Sequence, residues 1–198
     1  MLFSVIGHYS LILGLFIGLI LIFFSIKNFR NSINLDTKIL SFTFLQFILV
    51  VVSFLCLILS FVFSDFSNET VFNNSHTTKP LFYKISGTWG NHEGSLLLWL
   101  LVLTLFIFLF LIKTKDQPTK YKILTLVFQQ VIIIGFFVFL IKTSNPFNYL
   151  YPIPEEGLGL NPILQDPALA IHPPILYLGY VGSSIIFSSA LAATSLNM

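Results

Sequence analysis

The sequence predicts an all-α, polytopic integral membrane protein with about five transmembrane helices and two long outer-face loops. Of the 198 residues, 56% are hydrophobic and only 9% are charged, and the mean hydropathy is +0.90. A soluble domain carries about a quarter charged residues, which cover its water-facing surface. The composition therefore excludes a soluble enzyme, a nucleic-acid-binding domain and a disordered tail, and we treat residues 1–198 as a single membrane domain.

Five continuous apolar stretches are long enough to cross about 30 Å of hydrocarbon as helices. Their continuity argues against strands, which would alternate apolar and polar residues. The third stretch is the shortest, and we expect it to begin earlier, near Trp89, as an interfacial turn. The predicted spans are Leu2–Phe24, Ile39–Phe63, Leu96–Ile112, Ile123–Ile141 and Ile175–Ala193.

Small residues recur at helical spacing in two of these spans. Gly14 and Gly18 form a G-x-x-x-G pattern in the first span, and Gly179 and Ser183 repeat the spacing in the fifth. Such spacing lets helices approach closely in a membrane. We expect these faces to pack against other helices, including helices of a partner.

Loop charge predicts the orientation of the chain. The loops after the first and third spans hold seven of the ten Lys and Arg residues, namely Lys27, Arg30, Lys38, Lys113, Lys115, Lys120 and Lys122. By the positive-inside rule these loops face the cytoplasm or matrix. The N-terminus and the two long loops then face outward, and the C-terminus lies inside.

The sequence lacks two features that would indicate other classes of membrane protein. No predicted span carries Lys, Arg, Asp or Glu near its middle, and buried ionisable groups mark the pathways of transporters and proton pumps. The single Cys56 excludes a C-x-x-C pair and a C-x-x-C-H haem attachment site. The chain is therefore neither a carrier, a proton-pumping subunit, a c-type cytochrome nor a dithiol reductase.

The first long loop ends in the run TWGNHEGSLLLW, residues 88–99. The simpler interpretation is an interfacial anchor, in which Trp89 lies at the membrane surface and Asn91 caps the following helix. His92 and Glu93 do not form a zinc-protease motif, because Leu96 stands where the second histidine would be needed.

The second long loop, from Lys142 to Pro174, is rich in proline and ends in His172-Pro173-Pro174. Each proline restricts itself and the preceding residue toward extended geometry. We therefore expect His172 to be held extended just before the last span, with its imidazole placed as an axial haem ligand requires. The alternative is a turn histidine that hydrogen-bonds to its own loop. His8 and His76 have no such context and are assigned structural roles.

These two loops resemble one family closely. Residues 88–99 are similar to the T-W-G-x-H-E-G-S-L-L-L-W signature of the CcmF family, the haem lyase subunit of the system I cytochrome c maturation pathway. Residues 160–182 (LNPILQDPALAIHPPILYLGYVG), 143–147 (TSNPF) and the pair Gly7-His8 resemble the same family. The resemblance extends over the whole chain.

The resemblance implies a protein that takes haem from a CcmE-like chaperone and delivers it to apocytochrome c held by a CcmH-like subunit. Thioether bonds then form between the haem vinyl groups and the cysteines of the apocytochrome. The position of His172 in the H-P-P motif implies a transient axial ligand to the haem iron. The roles of the motif residues Trp89, His92 and Glu93 stay open.

The chain also departs from the family pattern. It lacks the tryptophan-rich WWD segment, the second outer-face histidine and the transmembrane histidines for a resident haem b. We therefore expect an N-terminal CcmF-like piece that is not active alone. A separately encoded remaining portion would carry the WWD segment and the second haem ligand. Separately encoded pieces of a CcmF-like protein are typical of mitochondria. We therefore expect this chain in the mitochondrial inner membrane, with its N-terminus toward the intermembrane space. The alternative location is a bacterial inner membrane.

A different class of function stays open beside this one. The chain would then be a non-catalytic structural accessory subunit of a large inner-membrane complex. The retained H-P-P and T-W-G-x-H-E-G motifs favour the haem lyase, because a purely structural subunit has no need of His172 or Glu93.

Overall fold

The computed structural model describes residues 1–31, 37–159 and 165–198. This part of the chain is all-α, as predicted. Its helices are α1 Leu2–Asn31, α2 Thr37–Val62, α3 Glu69–Asn74, α4 Leu81–Gly87, α5 His92–Lys113, α6 Thr119–Lys142, α7 Pro167–Tyr180 and α8 Ser184–Ser195.

Five segments of the described chain are long and apolar enough to cross a membrane, which confirms the predicted number. The fifth begins at Pro167 rather than at Ile175, and a break at residues 181–183 divides it into α7 and α8. The third begins at His92, directly after a turn that contains Trp89, as expected. The segments are Leu2–Phe29, Thr37–Val62, His92–Lys113, Thr119–Lys142 and Pro167–Ser195.

The centre of the molecule is formed by α1, α2, α5 and α6. Helix α1 packs on α2 and α6, α2 also packs on α5, and α8 lies along α6. Helix α7 contacts α5 and the short helix α4. Fully buried apolar side chains from each of the four central helices form the core, among them Leu11, Leu57, Leu103, Ile133 and Phe137.

The G-x-x-x-G pattern of α1 is a helix-packing face within this chain. A Cβ on Gly14 would lie 2.7 Å from the Phe137 ring, and one on Gly18 would lie 2.8 Å from the amide nitrogen of Gln46. Close approach to α2 and α6 therefore requires glycine here. A Cβ on Gly179 would have no described atom within 4 Å, so this position packs on no described helix of the chain, and its contact with a partner stays a prediction.

Gly182, which the spacing argument missed, makes the close contact of the fifth segment. A Cβ on Gly182 would lie 2.7 Å from the Phe106 ring of α5 and would collide with the carbonyl oxygen of Leu178. Ser183 instead donates its hydroxyl to the Tyr180 carbonyl. The break between α7 and α8 thus brings the backbone against α5.

Two adjacent glutamines on α6 join the helices through buried hydrogen bonds. Gln130 exchanges amide hydrogen bonds with Gln46 of α2, at 2.7 and 3.3 Å, and Gln46 also donates to the Gly14 carbonyl of α1. Gln129 donates to the Ser184 hydroxyl and accepts from Ser188, both on α8. In lipid, apolar side chains contact acyl chains as favourably as they contact other helices. Hydrogen bonds between side chains can still hold helices together there.

Removing the Gln46–Gln130 pair should weaken the bundle measurably. In membrane proteins such interhelical bonds couple two side chains by about 0.6–1.7 kcal/mol. We expect a double-mutant cycle of Gln46→Leu and Gln130→Leu, followed by reversible unfolding in detergent micelles, to return a coupling energy of this size. If the losses of unfolding free energy in the two single variants add up to the loss in the double variant, the coupling is zero and the pairing is contradicted.

The two long loops pack together into one structure, which we call the loop cap (residues 63–91 and 143–159). Glu69 donates its backbone N–H to Asn148, and Leu150 donates to Ser67, each at 2.9 Å. At the far edge, hydrogen bonds from Thr77 lower the pKa of Glu156 to about 2. The cap is thus held by backbone pairing as well as by side chains.

The N-terminal end of α1 is fixed to this cap. The Phe147 ring lies against Gly7 so closely that any Cβ there would collide with it. His8 is within 3.2 Å of the Asn145 amide, through Nδ1. Residues 7–8 and 143–147, which resemble the same family in sequence, are therefore neighbours in space.

Candidate functional site

The turn before α5 is organised by Asn91. Its side-chain oxygen accepts from the Gly94 N–H at 2.7 Å, which confirms the predicted helix cap. Its amide nitrogen donates to the carbonyls of Gly87, at 2.7 Å, and Thr88, at 3.2 Å. One side chain thus joins the end of α4 to the start of α5 and fixes the position of Trp89 between them.

Helix α7 corrects one expectation. His172, Pro173 and Pro174 lie inside this helix rather than in an extended loop. The helix begins with Asp166, whose carboxylate accepts from Ala168 and Leu169, and with Pro167 in the first turn, where a missing N–H costs nothing. A residue before proline prefers an extended backbone, but His172 and Pro173 are helical here. We attribute this to support that α7 receives from another part of the chain.

That support is a hydrogen bond from Trp89. Pro174 has no N–H, so the carbonyl four residues earlier, on Ala170, loses its partner within the helix. The indole N–H of Trp89 donates to this carbonyl at 2.8 Å. Ala170 is the buried residue of α7, and the Trp89 ring stacks on Phe54 of α2 at 6.5 Å between centroids. The T-W-G and H-P-P motifs are therefore two halves of one contact.

We expect Trp89→Phe to release α7 from the bundle. The change keeps an aromatic ring against Phe54 but leaves the buried Ala170 carbonyl unpaired, at a cost of about 1–3 kcal/mol. Unfolding in detergent measures the loss. The matched control is Trp99→Phe, because the buried indole N–H of Trp99 has no partner in the described chain. A loss of stability no larger for Trp89→Phe than for Trp99→Phe would contradict the role of this bond.

The same contact borders an open cavity of about 320 Å³. Trp89 and His92 line it from the α5 side, and Leu169, Pro173 and Tyr177 line it from α7. The sequence did not single out Ala170 or Tyr177. Pro174 was the available signal for Ala170, because an internal proline always frees the carbonyl four residues before it.

His172 lies outside this cavity. At about 100° per residue, its side chain is directed roughly a third of a turn away from the face of α7 that lines the cavity. The residue is exposed, and its imidazole makes no hydrogen bond to the described chain. The alternative of a histidine bound to its own loop therefore finds no support in that part of the structure.

The two adjacent motif residues of α5 face different surroundings. His92 is exposed at the mouth of the cavity beside Trp89. Glu93 faces a second, polar cavity under the loop cap. Trp89 and His92 are therefore brought to the H-P-P helix, while Glu93 is not.

The remaining histidines have structural partners, as expected. His8 is bonded to Asn145, and His76 pairs with the Thr78 hydroxyl at 3.0 Å. His76 also lies 3.8 Å from the Glu156 carboxylate. His8 makes its contact through Nδ1, and the bond of His76 is local to its own turn, so both contacts belong to the loop cap and its junction with α1.

Together these features define a multi-pass α-helical membrane protein whose polar chemistry lies at one end of the bundle. An exposed histidine stands there on a proline-containing helix fixed by a tryptophan. The chain belongs to the family described as Cytochrome C assembly protein, whose sequence profile matches residues 89–198.

Individual relatives agree with this assignment. The chain is 45% identical over 191 residues to the cytochrome c-type biogenesis protein CycK of Rhizobium meliloti, covering 94% of this chain and 28% of CycK. It is 40% identical over 190 residues to CcmF of Escherichia coli, covering 95% of this chain and 29% of that protein.

A solved structure of the cytochrome c haem lyase CcmF superposes with a TM-score of 0.81 at 26% identity. The match covers 98% of this chain and 31% of that one. The chain thus spans less than a third of the length of these relatives.

Proposed function

We propose that this chain is the part of a cytochrome c haem lyase that presents His172 to incoming haem, acting with a separate chain that supplies the rest of the site. Haem is the substrate, taken from a CcmE-like chaperone and attached to apocytochrome c held by a CcmH-like subunit. The observation that carries the proposal is the imidazole of His172, which is exposed and has no hydrogen-bond partner in the described part of the chain, on a helix fixed in place by Trp89.

The surroundings of His172 suit one side of a haem. A porphyrin needs an imidazole ligand and apolar surface beside it. Ile175 and Leu176, one turn along α7, are 64% and 49% exposed, so their side chains are free to contact the ring. These residues provide one axial ligand and one apolar wall, and the second ligand is expected on the partner chain.

Burial supports the need for that partner. The segment Pro167–Ser195 has 22% of its span residues buried inside the chain, against 33–44% for the other four. The relatives are also more than three times as long as the matched region. We infer that the remaining CcmF portion covers α7 and α8 and completes the haem site.

Purification of the tagged chain from native membranes tests this function. We expect a complex well above 22.4 kDa, containing a second chain with the WWD segment, together with a haem absorption spectrum. The control is an unrelated inner-membrane protein carrying the same tag. A monodisperse chain without partner or haem would favour the structural accessory subunit instead.

We also propose that the loop cap faces the intermembrane space or periplasm, in the mitochondrial inner membrane or alternatively a bacterial one. The basic loops at the other end support this orientation.

Membrane-impermeant thiol labelling of single-cysteine variants measures the orientation, after replacement of the buried Cys56 by serine. Tyr151→Cys in the cap, at a residue 96% exposed, should react from the outer side, and Gln117→Cys should react only after permeabilisation. Labelling of Gln117→Cys in sealed membranes would overturn the proposal.

A further inference from the structure

A narrow groove of about 130 Å³ lies between α1 and α6, at the end of the bundle opposite the loop cap. All but one of its lining side chains are apolar, and they belong to two membrane-spanning segments. Ile26 is 53% exposed, so the groove opens to the lipid-facing surface. We call it the α1–α6 groove, and its lining residues are Ser25, Ile26, Phe29, Ile123, Leu124 and Val127.

The polar residue of this groove lacks a hydrogen-bond partner. Ser25 is fully buried, and its hydroxyl makes no hydrogen bond within the described part of the chain. Other buried hydroxyls of the bundle, such as those of Thr43 and Ser60, donate to the carbonyl four residues earlier in their own helix. Buried polar side chains almost always have a partner, either in the protein or in a bound species. The Ser25 hydroxyl therefore indicates that the groove receives a molecule that carries an oxygen acceptor.

A lysine lies at the mouth of the groove. Lys120 precedes Ile123 by about one helical turn, so its side chain lies on the face of α6 that lines the groove. Its ammonium is 5.8 Å from the centre of the Phe29 ring, within the range of a cation–π contact. Helix α6 begins at Thr119 after Pro118, which supplies no side-chain cap, so the positive end of the helix dipole adds to this charge. The mouth is therefore positive and the walls are apolar.

We propose that the α1–α6 groove binds an anionic phospholipid, with one acyl chain along the apolar walls and the phosphate at Lys120. Lysines near the membrane surface attract anionic headgroups, and basic pockets between transmembrane helices bind them. The loops at this end of the bundle carry most of the Lys and Arg residues of the chain. Ser25 lies one turn deeper than Phe29 along α1, where it would donate to an ester oxygen between phosphate and acyl chain. The lipid would fasten α1 to α6, and this proposal does not depend on haem binding.

Lipid titration tests the proposal on delipidated protein in detergent micelles, purified with any chains that accompany it. Native mass spectrometry counts the bound lipid, and the unfolding temperature is the second readout. The probes are dioleoyl-phosphatidylglycerol and dioleoyl-phosphatidylcholine, which share their acyl chains and differ in net charge. Lys120→Gln should raise the Kd for phosphatidylglycerol about fivefold and leave that for phosphatidylcholine unchanged. The matched control is Lys115→Gln, which changes an exposed lysine of the turn before α6 and should alter neither Kd.

Two further variants separate the groove from general attraction to a basic surface. Val127→Phe fills the groove and keeps every charge, so it should weaken the binding of phosphatidylglycerol. Ser25→Ala removes the unpaired hydroxyl and should raise this Kd about two- to tenfold, without loss of stability in the lipid-free protein.

Three results would overturn the proposal: equal affinity of the wild type for the two lipids, an effect of Lys115→Gln as large as that of Lys120→Gln, or full lipid binding by Val127→Phe. Stabilisation by inorganic phosphate alone would assign the site to a free anion. Failure of both lipids to bind would leave the groove to a helix of a partner. Both of these outcomes also contradict a phospholipid site.

Discussion

His172→Ala is expected to abolish c-type cytochrome maturation while the protein still inserts and assembles. The residue is exposed and makes no hydrogen bond to the described chain, so its loss removes little folding energy. A neutral imidazole is, however, a strong ligand to haem iron, and alanine offers none. Under the proposed function, holocytochrome c should fall below about a tenth of the wild-type level, because one axial position is left empty.

Haem staining of membranes from the complemented deletion strain measures this result, with immunoblotting to confirm equal amounts of protein. His76→Ala is the control, because His76 is a histidine of the loop cap with hydrogen-bond partners of its own. Added imidazole should restore part of the activity by filling the vacant position. Normal holocytochrome c in the His172→Ala strain would rule out the ligand assignment and favour the accessory subunit.

Gly94→Ala is expected to cause the largest loss of stability of any single methyl addition considered. A Cβ on Gly94 would collide with the backbone carbonyl of Thr88, which cannot move without breaking the turn. Overpacking of this kind costs about 1–3 kcal/mol. Displacement of Gly94 also breaks the Asn91 cap, which adds about 1 kcal/mol.

Gly135→Ala is the matched control, since Gly135 lies inside α6 and a Cβ there would have no described atom within 4 Å. Alanine is a better helix former than glycine by about 1 kcal/mol, so this variant should be as stable as the wild type or more so. Equilibrium unfolding in detergent compares the two. Similar stability for both variants would show that the turn before α5 tolerates a side chain.

The candidate site was partly predictable because its residue types are unusual at their positions. Asn91 was identified as a cap from its place before an apolar run, and His172 from its prolines. The conformation of His172 was predicted wrongly, because local preference was the only available guide. The extended conformation that proline favours is not adopted, because Trp89 supports the helix. Trp89 lies more than eighty residues earlier in the chain and donates to the Ala170 carbonyl, which Pro174 leaves without a helical partner.

Buried polar groups escaped prediction for a related reason. The sequence places Gln46, Gln129 and Gln130 inside apolar runs but gives no sign of their partners. The structure pairs Gln46 with Gln130 across 84 positions and Gln129 with two serines of α8. Glu69 and Glu93 likewise meet at one cavity only after the loops have folded over the bundle.

The sequence by itself determined the class of protein, the number of spans and the packing role of Gly14 and Gly18. These properties follow from composition and local spacing, because the bilayer demands long apolar helices wherever a chain crosses it. Only the tertiary structure decided that His172 is helical, that Trp89 supports it and that Gly182 rather than Gly179 contacts α5. Those outcomes depend on which residues, distant in sequence, donate to a buried carbonyl or fill the space beside a glycine. These neighbours are set only when the helices pack together.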